Sequence, residues 1–137
     1  MANEATLHIE FEPAISMNCI DANESHDKGT LLKLIDPFTV SGGGTLQEQA
    51  CAGIAKIDKI KGYGTTTPVY RRGIFRMTLS GSSVAGNGVA MAASANKVYG
   101  VTASGANHLV GEALETGTDG ETILVNLNPR SGFRREV

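Results

Sequence analysis

Between Val69 and Leu79 the chain reads Val-Tyr-Arg-Arg-Gly-Ile-Phe-Arg-Met-Thr-Leu, and from Ile74 onward its residues alternate. Phe75, Met77 and Leu79 share one side, and Ile74, Arg76 and Thr78 the other. A period of two is what a strand with one face on a core requires. The stretch lies mid-chain with shorter strand-like runs on both sides, which predicts the central strand of a β domain.

The flanking runs support that class. Thr30-Leu31-Leu32-Lys33-Leu34-Ile35 is apolar, six residues long and closed by Asp36-Pro37, too short for a helix. Phe38-Thr39-Val40 extends it after a turn, before the glycines at 42–44 interrupt. Residues 45–60 admit two readings. Leu46, Ala50, Ile54 and Ile57 suit a helix, whereas the alternation of 51–57 and Gly53 favour a strand there. Asn87-Gly88 and Asp119-Gly120 are two-residue hairpin signals, the second between Leu109–Glu115 and a strand with Ile123, Val125 and Leu127 on one face.

With 17 Gly and aromatics at 5%, turns are frequent and the core must come from aliphatic side chains and a few Phe and Met. The expected fold is mainly β: a small antiparallel β-barrel or sandwich with an extended N-terminal arm. Composition divides the chain into an arm at 1–27, a β domain at 28–128 and a loose tail at 129–137. A thin core rich in turns suggests gain from oligomerisation.

Charge is uneven. Residues 1–28 sum to −5 and residues 29–137 to +3, for a total of −2. No basic, aromatic-interleaved stripe points to nucleic acid. The start has no secretory pattern, and no apolar run approaches the length of a membrane span. Cys19 and Cys51 are too few and too far apart for a disulfide framework or zinc site, and they fit a reducing cytoplasm.

Catalytic chemistry finds little to work with. His8, His26 and His108 are scattered, with no acid or Cys at ligand spacing. Glu112 and Glu115 fall on opposite faces of a strand and cannot form a close carboxylate pair. Gly81-Ser82 reads as a turn. Arg71, Arg72 and Arg76 could together hold an anion, or form a polar sheet surface or subunit contact. The chain is expected to be no enzyme and to need no cofactor or metal.

Thr6-Leu7-His8-Ile9-Glu10-Phe11 alternates up to Pro13, with Leu7, Ile9 and Phe11 expected on one face. It suits an edge strand of the chain's own body or a strand lent to a neighbouring protein's sheet edge.

The order Gly29-Thr30-Leu31-Leu32-Lys33-Leu34, Ala52-Gly53-Ile54-Ala55 and Arg72-Gly73-Ile74-Phe75-Arg76-Met77 resembles the capsid decoration, or cement, proteins of tailed phages. So does the later order Val84-Ala85-Gly86 with Val89, Asn96-Lys97-Val98, Val110-Gly111-Glu112-Ala113-Leu114-Glu115 and Thr122-Ile123-Leu124-Val125-Asn126-Leu127. The likeness spans about residues 28–128 and extends more remotely to the lambdoid head decoration protein. It implies a β-rich homotrimer on the outer surface of an expanded head, bound to the major capsid protein, with no catalytic residues. The leading segment is longer and more acidic than that family suggests. With the resemblance, Thr6, Leu7, His8, Ile9, Glu10 and Phe11 become the candidate capsid-binding residues. The rival expectation is a carbohydrate- or surface-binding β module of a fibre or other virion appendage, although such a module would want exposed Trp or Tyr and there is no Trp.

Overall fold

The computed structural model describes residues 3–19, 25–35, 38–42, 49–60, 64–92, 96–101 and 108–130. Among the described residues eleven strands are formed: β1 (Thr6–Glu10), β2 (Ile15–Cys19), β3 (Leu31–Ile35), β4 (Thr39–Ser41), β5 (Cys51–Ala55), β6 (Thr66–Tyr70), β7 (Gly73–Thr78), β8 (Gly88–Met91), β9 (Val98–Val101), β10 (Leu109–Ala113) and β11 (Thr122–Arg130). Among the described residues no helix is long and apolar enough to cross a membrane. One sheet runs β1-β7-β11-β10-β8-β9, and β2-β4-β3-β5-β6 close into a barrel. The fold is therefore mainly β with a small barrel, as the alternation and turn spacing predict. Of residues 45–60, the strand reading holds at β5, and residues 43–48, with the start of the alternative helix reading, lie outside the described residues.

Phe75, Met77 and Leu79 are buried and Arg76 is exposed, as the period of two requires. β7 is an interior strand with β1 on one side and β11 on the other. Its inner face packs on Ile123, Val125 and Leu127 and on the barrel residues Leu31, Ile54 and Tyr70. Tyr70 and Phe75 meet edge to face at 5.5 Å.

A second cluster, with Met17, Leu32, Val40, Ala52, Ala55 and Val69, fills the barrel. All five residues of β5 are buried, because Cys51 and Ile54 belong to the first cluster and Ala52 and Ala55 to the second. A register slip beside Ala52, where Leu32 faces Gly53 and Lys33 faces Cys51, explains this division. Gly53, at φ +146°, is obligatory: a Cβ there would lie 2.0 Å from the Tyr70 carbonyl oxygen.

Two local expectations change. Asn87-Gly88 is no two-residue hairpin. The turn covers Val84–Asn87, with the Asn87 N–H donating to the Val84 carbonyl at 3.1 Å and Gly86 at φ +95°, and Gly88 already opens β8. The loose tail expected from Pro129 does not begin there, because β11 continues to Arg130, which pairs with Leu109. Pro129 is tolerated there because the register shifts between Leu109 and Gly111, so it falls in a bulge. The Asp119-Gly120 turn does join β10 to β11, and Gly120 takes φ +85°. Residues 131–137 lie outside the described residues.

A candidate interaction surface along the leading strand

The leading segment is extended and hydrogen-bonded into the body. β1 pairs antiparallel with β7, and β2 enters the barrel between β6 and β4. Of the two placements that the alternation of Thr6–Phe11 admits, the strand occupies the edge of its own sheet. On its other side, no strand among the described residues borders it.

Three contacts fix this position. The Ala5 N–H donates to the Gly29 carbonyl at 3.0 Å. The Asn96 side-chain amide donates to the carbonyls of Asn3 at 2.9 Å and Gly29 at 3.0 Å, and its oxygen accepts from the Leu31 N–H at 2.7 Å. Gly73, at φ +153°, lets β1 approach closely, since a Cβ there would lie 2.8 Å from the Ile9 carbonyl oxygen. Asn96 and Gly29 enter the sequence reading only as members of the cement-protein pattern, not as ties between segments. Nothing in the period of a strand marks a residue that ties two distant segments to its own.

The alternation does not survive intact. Leu7 faces Phe75 and Ile9 faces Ile74, with His8 as the extra residue of a bulge. Phe75 and Ile74 belong to opposite faces of β7, so Leu7 and Ile9 do as well. The expectation of Leu7, Ile9 and Phe11 on one face is therefore corrected by that bulge. All of β1 is exposed, and its apolar members are 37% (Leu7) and 46% (Ile9) accessible, with Phe11 at 49% and Ile15 at 40% just beyond. Four large apolar side chains exposed within nine residues are more than scattered surface hydrophobes require.

Beside β1, on the Leu7 side, lies an open cleft of about 600 Å³. Leu7, Ile54, Tyr70 and Phe75 give it apolar walls, and Glu4, Lys28, Lys56 and Asp58 contribute charge. Lys56 Nζ stands 5.9 Å from the centre of the Tyr70 ring, and Asp58 accepts from the Lys28 N–H at 2.7 Å. Residues 3–19 hold Glu4, Glu10 and Glu12 but no Lys or Arg, so the strand edge is acidic.

The other candidate residues are dispersed. His8 is exposed at the bulge, His26 is buried opposite Lys59, and His108 is half-buried. Among the described residues no three His, Cys, Asp or Glu side chains could hold a metal ion. Glu112 is exposed on β10, whereas Glu115 lies past its end and accepts from the Leu124 N–H at 2.9 Å. Gly81-Ser82 is an exposed turn, held by a bond from the Gly81 N–H to Asp119 Oδ1 at 2.8 Å. Arg76 projects from the outer sheet face, while Arg71 and Arg72 are half-buried between β6 and β7. Both cysteines are buried with no disulfide between them, and burial pushes the Cys51 thiol up to about 12.

No family model and no curated protein matches the chain. Among solved structures, the N-terminal base of the head fibre gp8.5 of bacteriophage phi29 has a similar fold. The TM-score is 0.53 at 14% sequence identity, over 88% of this chain and 96% of that chain.

Proposed function

We propose that the chain is a structural protein of a tailed-phage virion, a decoration protein on the outer surface of the head that reinforces it as a homotrimer and catalyses no reaction. One observation carries this reading: the fold is shared with nearly the whole base of a phage head fibre, 96% of that chain. The resemblance of residues 28–128 to cement proteins points the same way. A protein that binds only the assembled lattice stabilises it, because separating capsomers must also break its contacts.

The contact with the major capsid protein is assigned to Thr6, Leu7, His8, Ile9, Glu10 and Phe11. Their backbone is already paired with β7 on one side, so the outward side chains Ile9 and Phe11 supply the apolar contact. Heads purified from cells producing the chain should carry it at a copy number near that of the major capsid protein. Heads that lack it at every stage of purification would rule the role out. Ile9→Glu with Phe11→Glu should abolish head binding at an unchanged melting temperature. Full binding by that variant would move the contact elsewhere.

A second reading, a base module of a fibre or other appendage that binds a surface or carbohydrate, is favoured by the head-fibre origin of the similar structure. Antibody labelling of particles separates the two. Dense, uniform labelling supports decoration, and a few discrete positions support an appendage.

A further inference from the structure

We propose that the free edge of β1 receives residues 131–137 of a second copy, so that each copy lends its C-terminal segment to the next. This deepens the homotrimer of the preceding reading and rests on it. An edge strand with exposed apolar side chains and, among the described residues, no strand on its other side invites another strand.

Charge selects the occupant. The edge carries Glu4, Glu10 and Glu12 with no Lys or Arg between residues 3 and 19. Pairing two β1 edges would bring those acids together, which disfavours it. Residues 131–137 read Ser-Gly-Phe-Arg-Arg-Glu-Val, with Arg134 and Arg135 against Glu136, and supply an aromatic together with the opposite charge.

Position favours a neighbouring copy over the same one. Glu10 faces Gly73 and Gly73 faces Leu127, so β11 leaves the sheet at the Glu10 end of β1. To reach its own β1 the segment must pass the start of β7 beside Arg71 and Arg72. The Nε atoms of these two residues are buried without a hydrogen-bond partner, and two further guanidinium groups would add like charge there. Seven residues span at most about 23–25 Å when extended, about five strand spacings, enough to cross between abutting copies. Head-to-tail donation of this kind closes into a ring when the rotation allows it, and three copies make the smallest such ring above a dimer.

The test uses the full chain without any heads. Sedimentation at micromolar concentration should show association, with those amides of Thr6–Glu10 that point away from β7 protected from exchange only in the associated state. Glu10→Lys with Glu12→Lys should weaken association about tenfold, as should Arg134→Glu with Arg135→Glu. Joining all four substitutions in one chain should restore it, and equal melting temperatures would show that each variant is folded. The proposal is overturned by an unmodified chain that stays monomeric, by a four-fold variant no better than either pair, or by protection in the dilute monomer of the Thr6–Glu10 amides that point away from β7, which would place the segment on its own chain. Because no head is present, trimers that fail to bind heads would refute the decoration role and leave this contact standing.

Discussion

Asn96 Oδ1 accepts the Leu31 N–H at 2.7 Å across 65 residues of chain, and the same amide holds the carbonyls of Asn3 and Gly29. One buried side chain thus ties the leading segment, the entry to the barrel and the approach to β9. It sits at φ +56°, a left-handed conformation that Asn tolerates better than most residues.

Asn96→Ala should therefore cost about 2–4 kcal/mol, since it strands the buried Leu31 N–H, removes one bond each from the Asn3 and Gly29 carbonyls and strains the backbone. Urea titration measures the loss. A cost within error of zero would mean that water replaces the clasp.

Phe75→Ala should cost about 3–5 kcal/mol by the same titration. The ring is 1% exposed and fills the space between the sheet and Tyr70. A loss below about 1 kcal/mol would show that the site collapses around the missing ring.

Gly73→Val should release β1 while leaving the barrel folded. The added Cβ would lie 2.8 Å from the Ile9 oxygen, on a backbone at φ +153° that suits glycine. Amide exchange at Thr6–Glu10 should accelerate, with protection at Cys51–Ala55 retained. Uniform acceleration would show that edge and barrel open together.

Cys51 should make stability fall at high pH. Burial raises its pKa from 9.0 to about 12, with a backbone bond at Gly53 and the Arg71 charge opposing it. Between those values the folded state keeps a proton that the unfolded chain loses, so stability declines from about pH 9 towards pH 12. Cys51→Ala should show a shallower decline in melting temperature over that range. An identical slope in the two proteins would assign the effect to other groups. In the native protein at pH 8 the thiol should resist alkylation.

Much of the fold was legible because burial on one face writes a period of two into the sequence. Phe75, Met77 and Leu79 show it in β7, and Ile123, Val125 and Leu127 in β11. Register slips were illegible. The bulge at His8 sends Leu7 and Ile9 to opposite faces, and the one beside Ala52 lets β5 serve two cores, yet neither leaves a compositional mark. The candidate surface was legible as a stretch, Thr6 to Phe11. Its attachment depended on Gly29, Gly73 and Asn96, which act through space and not through local pattern.

The double burial of β5 bears on how the molecule carries load. Cys51 and Ile54 are seated in the sheet's core and Ala52 and Ala55 in the barrel's, so neither half can slide without dragging the strand out of the other. A pull on β1 passes through β7 and the shared core into a closed ring of strands, which has no edge from which to unzip. Force applied at the leading strand should meet a single large rupture of the whole body once β1 is held, and no softer seam between two halves.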